Sequence, residues 1–212
     1  MSAREPVVYL HGFASSPASK KARFFRERFE ALGVPFEVPG LARGDFERLT
    51  LSGQLEVVAQ TVGKRKVRLM GSSMGGYLAA LFASANPALV DRAVLMAPAF
   101  DFASRWRSRL SEPVFTEWQR SGILPVFHYG DERPANLGFG LYSDALAFAP
   151  FPPVAVPVLI FHGTADGVVP AHLSERFAAV NPQAKLRLLH SNHELLDVTE
   201  TIWEETWAFL QA

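Results

Sequence analysis

The chain has 212 residues, and its 21 Lys+Arg balance its 21 Asp+Glu, so the formal net charge is zero. This balance argues against nucleic-acid binding, which needs a basic excess or patch, and the absence of cysteine excludes disulfides, thiol catalysis and cysteine-based metal sites. No signal peptide opens the chain and no apolar run approaches the roughly 18 residues of a membrane span, so we predict one cytoplasmic domain over residues 1–212.

Short apolar runs alternate with amphipathic segments along the chain. The runs predict strands at residues 7–10, 36–38, 67–70, 93–97, 156–161 and 185–190. Helical spacing and capping residues predict helices at residues 20–31, 54–62, 75–85, 172–180 and 198–210. Strands that alternate with helices in this way are typical of a mostly parallel sheet with helices on both faces. The predicted fold class is therefore α/β, with functional residues at the carboxyl ends of the strands.

One long segment, about residues 100–153, interrupts the alternation. It is rich in aromatic residues and shows no clear strand pattern. Connections of this length in a compact domain are usually functional or carry their own helices. We predict a small helical cap over the site, with short helices near residues 104–110 and 113–121. A surface excursion whose aromatic residues merely pack on the core is the alternative.

Residues 71–75 read G-S-S-M-G at a predicted strand-to-helix turn. This is the G-x-S-x-G pattern of a nucleophile elbow, in which flanking glycines permit a tight, strained turn. Only Ser73 has glycines two residues before and after it, namely Gly71 and Gly75. Ser73 is therefore the candidate nucleophile, and Ser72 is a structural neighbour. A strand–loop–helix junction without chemistry is the alternative.

A serine nucleophile needs a base, and the base needs an orienting acid. Asp166 follows the strongest late strand in H-G-T-A-D-G, so we predict that it is the acid, with Asp101 as the alternative. The chain order Ser, Asp, His is that of α/β-hydrolases.

The predicted base is His193, in a loop between the last strand and the last helix. His190 is the alternative, but its spacing places it at a strand end, where a histidine is more often packed in the core. The two histidines lack the order of a zinc motif, and we predict neither a metal nor a cofactor.

Two N–H groups are needed to stabilise the tetrahedral intermediate. The backbone of Met74, directly after the nucleophile, is one candidate, and Phe13, in the loop after the first strand, is the other. The nearby His11 and the later His162 are predicted to be structural.

Four motifs, Y-L-H-G-F-x-S-S-P-x-S-x-K-A, G-S-S-M-G-G-Y, H-G-T-A-D and S-N-H, resemble those of the small α/β-hydrolases of the YqiA-type esterase family. More loosely, the chain is similar to abhydrolase acyl-protein thioesterases. The resemblance covers nearly the whole chain, and the cap is its least specific part. It implies a carboxylic-ester or thioester hydrolase with Ser73, Asp166 and His193 as its triad. Compared with larger α/β-hydrolases, we expect the opening hairpin to be absent and the sheet to have about six core strands.

The predicted function is hydrolysis of carboxylic esters with short to medium acyl chains through an acyl-enzyme intermediate. Thioester or amide hydrolysis on the same triad is the first alternative. A cofactor-free haloperoxidase- or lyase-like activity and a non-catalytic binding module are the others, since fold does not fix function. The predicted partner is a small ester or thioester, without nucleic acid or membrane, and the oligomeric state is left open.

Overall fold

A parallel sheet of six strands lies at the centre of the structure, a computed structural model that describes residues 5–211. The strands of this sheet are β1 (Val7–Leu10), β2 (Phe36–Glu37), β3 (Val67–Ser72), β4 (Val90–Met96), β7 (Val158–Gly163) and β8 (Ala184–Leu189). Strands β5 (Ile123–His128) and β6 (Arg133–Gly138) lie outside it. The helices are α1 (Lys20–Ala31), α2 (Leu51–Val62), α3 (Met74–Ala85), α4 (Phe102–Arg109), α5 (Glu112–Ser121), α6 (Gly140–Ala145), α7 (His172–Val180) and α8 (Thr199–Gln211). The sheet order is β2-β1-β3-β4-β7-β8, with every pair parallel.

The sheet has a hydrophobic core on each face, as its apolar strands require. Successive side chains of a strand point to opposite faces. Val8 and Leu10 accordingly belong to the core that includes α2, α3 and α7. Val7 and Tyr9 belong to the core that includes α1 and α8. The predicted α/β fold with six parallel strands and helices on both faces is confirmed.

Side-chain caps account for the starts of α1 and α2. The Ser19 side chain accepts a hydrogen bond from the Ala22 N–H and begins α1 at the predicted residue. Thr50 does the same for the Gly53 N–H, so α2 begins at Leu51 rather than at residue 54. A polar side chain at this position satisfies one of the N–H groups that a helix start leaves unpaired.

The segment between β4 and β7 carries both predicted short helices, α4 and α5, but it is not wholly helical. Strands β5 and β6 form an antiparallel hairpin in which Ile123 pairs with Gly138 and His128 with Arg133. The prediction that this segment contains no strand is therefore wrong. Pro125 in β5 has no N–H to donate to the ladder, which argues against a strand in the sequence. Most side chains of the hairpin are at least partly exposed, so the apolar run that marks a buried strand is also missing.

None of the helices within residues 5–211 combines the length and apolar character that a bilayer crossing requires.

Candidate active site

Ser73 lies at the turn between β3 and α3, with backbone angles φ 55° and ψ −119°. Positive φ is unfavourable for a residue with a side chain and persists only where neighbours enforce it. The Ser73 N–H donates to the Met96 carbonyl over 2.9 Å, and the Ser73 carbonyl accepts from the Ala99 N–H over 3.0 Å. Both backbone polar groups of Ser73 are thus bonded to the end of β4 and the residues just after it.

The glycines on either side of Ser73 are required by close backbone approach. A Cβ atom at Gly75 would overlap the carbonyl oxygen of Leu10, at the end of β1. A Cβ atom at Gly71 would overlap the carbonyl oxygen of Gly75 itself. Neither obstacle is a flexible side chain, so neither can move aside cheaply. The start of α3 can pack this closely on β1 and β3 only with glycine at both positions.

Three side chains from the ends of three strands form one hydrogen-bonded chain. The His193 Nε2 atom lies 3.1 Å from Ser73 Oγ, and His193 Nδ1 lies 2.7 Å from Asp166 Oδ2. A carboxylate can only accept, so we assign the ring proton to Nδ1, and Nε2 then accepts from the serine hydroxyl. The three predicted residues are therefore brought together after β3, β7 and β8, in an arrangement that can activate a hydroxyl.

Asp166 accepts hydrogen bonds at both carboxylate oxygens. Oδ1 accepts from the N–H groups of Val168 and Val169, each over 2.8 Å. Oδ2 lies 2.7 Å from His193 and 3.1 Å from His162 Nε2. Burial by itself raises the pKa of Asp166, but the hydrogen bonds from His162, His193 and Val169 outweigh it and hold the pKa well below its usual value. The carboxylate is therefore ionised at neutral pH.

His162 is a contact of Asp166 that sequence reasoning missed. Its side chain is completely buried at the end of β7. Nε2 faces the Val169 carbonyl at 2.8 Å as well as Asp166, so it carries the proton. Nδ1 then accepts from the Ser174 hydroxyl over 2.7 Å. The histidine is structural, as predicted, and the group that it contacts is the predicted acid.

Lys21 is a second contact that sequence reasoning missed. Its Nζ atom donates to the carbonyl oxygen of Glu194, the residue after His193, over 2.6 Å. Burial lowers the pKa of Lys21 to about 8, against the opposing attraction of Glu194 and Asp166. A cation on α1 therefore holds the loop that carries the histidine.

Two backbone N–H groups lie beside Ser73 without a protein acceptor. Phe13 and Met74 line the same cavity as Ser73, and within residues 5–211 neither N–H donates a hydrogen bond. The loop before Phe13 passes so close that a Cβ on Gly12 would lie 3.4 Å from Ser73 Cβ. His11 Nδ1 lies 2.9 Å from the Gly12 carbonyl, which fits the predicted structural role. Burial lowers the pKa of His11, so it is neutral at pH 7.

The alternative residues lie elsewhere. Asp101 precedes α4 in a left-handed conformation, and no hydrogen bond joins it to His193 in the described part of the chain. His190 lies just beyond β8 and is exposed, so the prediction that it packs in the core is wrong. Ser72 is buried as the last residue of β3.

A cavity of about 430 Å³ opens above Ser73. Its volume lies within the range of small-molecule sites. It is bounded by the loop after β1, by α4, by the hairpin and by the loop after Asp166. Its lining is mainly apolar and aromatic: Phe13, Met74, Phe102, Trp106, Leu110, Val126 and Phe127. Arg105 and Arg109 of α4 also line it. Among residues 5–211, no group of three His, Asp or Glu side chains is placed to hold a metal ion.

A second cavity, of about 570 Å³, lies beside the hairpin and is more polar. Arg43 and Asp45 contribute to its wall, but Ser73, Asp166 and His193 do not. Arg43 pairs with Glu56 over 3.2 Å. The two cavities therefore differ in chemistry, and the candidate nucleophile opens only onto the apolar one.

Solved structures of other proteins share this fold. The chain aligns with alpha/beta hydrolase domain-containing protein 10 from mouse with a TM-score of 0.82 and 20% identity, covering 97% of this chain and 89% of that one. It aligns with Est1E from Butyrivibrio proteoclasticus, solved with ferulic acid bound, with a TM-score of 0.74 and 20% identity, covering 99% and 89%. The chain therefore has the α/β-hydrolase fold.

The sequence narrows this class to a family. The chain belongs to the Uncharacterised protein family (UPF0227), which it matches over residues 6–211, and the predicted YqiA-type membership is thereby confirmed. It is also 26% identical over 185 residues to the mitochondrial palmitoyl-protein thioesterase ABHD10 of Bos taurus, covering 81% of this chain. It spans only 60% of the length of that relative.

Proposed function

We propose that this chain is a serine hydrolase that cleaves carboxylic esters with short to medium acyl chains. Ser73 attacks the ester carbonyl while His193 takes its proton, and Asp166 orients His193 and stabilises the imidazolium. The observation that carries the proposal is the continuous hydrogen-bonded order from Ser73 Oγ through His193 to Asp166. The strained elbow and the fully hydrogen-bonded carboxylate add support.

The acyl-enzyme forms and breaks down through tetrahedral intermediates, whose oxyanion needs hydrogen-bond donors. The Phe13 and Met74 N–H groups have no protein acceptor within residues 5–211, and both residues line the cavity beside Ser73. Preorganised donors of this kind are worth on the order of 3 kcal/mol each in the transition state. His193 then protonates the departing alcohol, and a water activated by the same histidine releases the acid from Ser73.

We propose that residues 100–153 act as a cap within a single domain. Trp106 of α4 packs edge-on against Phe13 with ring centroids 5.4 Å apart, so the insertion contacts the proposed oxyanion loop directly. Its apolar side chains favour an apolar acyl or alcohol group, since burial of apolar surface contributes about 25 cal/mol per Å². The cytoplasmic location stays a prediction.

Thioester hydrolysis is the second candidate. It is favoured by the relative from Bos taurus, which carries the name palmitoyl-protein thioesterase, and by the apolar cavity. The same triad serves an ester, a thioester or an amide, so a series of leaving groups on one acyl chain separates the three.

The decisive experiment replaces the nucleophile. Ser73→Ala should lower kcat on p-nitrophenyl butyrate by ~10⁴ or more, because the chemistry cannot begin without the hydroxyl. Ser72→Ala is the matched control, since it removes a hydroxyl one residue away, and it should keep most of the activity. A fluorophosphonate probe should label the wild type and the Ser72 variant but not the Ser73 variant. Equal turnover by Ser73→Ala and the wild type would sink the proposal and favour a binding role.

A further inference from the structure

Two arginines stand at the wall of the active-site cavity without a carboxylate partner. Most other arginines within residues 5–211 form ion pairs with Asp or Glu. Arg107, on the same helix α4, pairs with Glu112 in this way. Arg105 and Arg109 form no such pair in that part of the chain, and the cavity wall that they share with Ser73 contains no acidic side chain.

The two guanidinium groups converge on one acceptor. Arg105 donates to the Val168 carbonyl, and Arg109 donates to the same oxygen over 3.1 Å. A guanidinium has several N–H donors in a fixed fork, so most of those on each side chain remain unbonded to residues 5–211. Shared attachment to one oxygen also fixes the two groups close together, at the loop that follows Asp166.

Positive charge at this point is poorly balanced by the protein. Burial and the like charge of Arg109 lower the pKa of Arg105, while Asp101 and Asp166 act on it only at a distance, without an ion pair. A charge that is partly removed from water is unfavourable until it is paired. A negatively charged group in the cavity would supply the missing partner, and forked N–H donors suit carboxylate and phosphate oxygens.

We propose that Arg105 and Arg109 bind an anionic oxygen group, a carboxylate or a phosphate, carried by the ester substrate. This inference rests on the proposed esterase function and specifies its substrate class: an ester with an apolar section near the reacting carbonyl and an anionic end. The apolar section lies against Phe13 and Trp106, and the anionic end lies at α4. The competing explanation is that the arginines serve only to attach α4 to the loop containing Val168.

The experiment compares three esters of matched chain length. p-Nitrophenyl hexanoate is neutral, mono-p-nitrophenyl adipate ends in a carboxylate, and p-nitrophenyl 5-phosphonopentanoate ends in a phosphonate that represents phosphate. Spontaneous hydrolysis is subtracted with the Ser73→Ala protein. The measured quantity is the ratio of kcat/KM for each anionic ester to kcat/KM for the hexanoate, in the wild type and in Arg105→Gln, Arg109→Gln and Arg107→Gln.

The wild type should prefer at least one anionic ester, and Arg105→Gln and Arg109→Gln should each lower that ratio by about tenfold or more, the loss expected for a charge-assisted hydrogen bond. Arg107→Gln makes the same charge change on the same helix, outside the cavity wall, and should leave the ratio unchanged. In the wild type, KM for the preferred anionic ester should rise with salt while KM for the hexanoate does not. This last measurement needs no variant and does not depend on the folding of any.

Each outcome decides the inference. Equal losses on neutral and anionic esters in the two variants would show a purely structural role and overturn it. A wild type that hydrolyses the hexanoate but prefers neither anionic ester also overturns it, and leaves the esterase proposal standing. A wild type that hydrolyses none of the three esters overturns both proposals. Preference for the adipate alone or the phosphonate alone supports the inference and identifies the anion.

Discussion

Replacement of His162 tests whether its hydrogen bond to Asp166 positions that carboxylate. His162→Leu fills a similar apolar volume but deletes the Nε2 donor that lies 3.1 Å from Asp166 Oδ2. It also leaves the Ser174 hydroxyl and the Val169 carbonyl without their partners. Within residues 5–211 no hydrogen bond joins His162 to His193 or Ser73.

The magnitude follows from the bonds lost. A hydrogen bond to a charged group contributes about 1.5–3 kcal/mol. The lower end applies here, since Nε2 is shared between Asp166 and the nearer Val169 carbonyl. One pKa unit corresponds to about 1.4 kcal/mol, so the pKa of Asp166 should rise by about one unit in the variant. Because that pKa starts well below its usual value, Asp166 stays ionised at pH 7, and the loss of activity reflects its position rather than its charge.

The sign of the pH dependence is fixed by the direction of the shift. A carboxyl group whose pKa is depressed on folding stabilises the fold above its unfolded pKa, about 3.9, and that contribution is lost as the pH falls towards the folded pKa. The unfolded pKa is common to both proteins, so the stability difference between wild type and His162→Leu should be full at pH 7 and shrink only as the pH falls through the folded pKa of Asp166 in the variant, well below about 3.9. The part due to Ser174 and Val169 remains.

Urea unfolding at pH 7 and at lower pH measures the stability difference, and hydrolysis of p-nitrophenyl butyrate measures kcat. We expect about a tenfold lower kcat at pH 7 for His162→Leu, equivalent to about 1.4 kcal/mol. His162→Gln is the conservative control, since its amide N–H lies near the position of Nε2 and should restore much of the loss. If His162→Leu keeps the wild-type kcat, and its stability deficit does not vary with pH, the contact with Asp166 has no role and the reasoning fails.

Two further substitutions test the contact of Lys21 with the Glu194 carbonyl and the close backbone approach at Gly75. Lys21→Met leaves the Glu194 carbonyl unpaired and should lower kcat about tenfold, whereas Lys20→Met, an exposed neighbour, should not. Because burial depresses the pKa of Lys21 to about 8, wild-type stability relative to Lys21→Met should rise between pH ~8 and ~10, and a flat difference in urea unfolding would contradict this. Gly75→Ala should lower Tm by about 5 °C or more, since the added Cβ overlaps backbone. Gly40→Ala, which meets nothing within 4 Å, is its control, and equal Tm values would count against the close approach.

The sequence was sufficient for the centre of the sheet because β1, β3, β4 and β7 each have a buried apolar run. The four residues of β1 are all buried, as are the six of β7, and such runs can be recognised without knowing their neighbours. The order of the elbow serine, the acid and the histidine could be predicted for a related reason. Each follows directly after a strand, and the carboxyl ends of parallel strands meet at one edge of the sheet.

The hairpin and the contacts that hold the site in place could not be predicted in the same way. Strands β5 and β6 are stabilised by each other and by contacts such as the Gly138 N–H to the Glu47 carbonyl over 2.8 Å, a pairing across the sequence that no local pattern reveals. The same holds for Lys21, whose acceptor lies 173 residues away. His190 shows the reverse error, because alternation along β8 suggested a buried face where the sheet ends in solvent.

The loop from Asp166 to Val169 connects the proposed acid to His162 and to the two arginines of α4. Its N–H groups hold the carboxylate, its Val169 carbonyl accepts from His162, and its Val168 carbonyl accepts from the two arginines of α4. A movement of α4 would therefore be transmitted through one short loop to the acid. Under the proposed function, a bound anion would accept from the N–H groups of Arg105 and Arg109 that the Val168 carbonyl leaves free, and it would lie beside this loop. Because this loop joins the two arginines to Asp166, Arg105→Gln and Arg109→Gln should change kcat as well as KM.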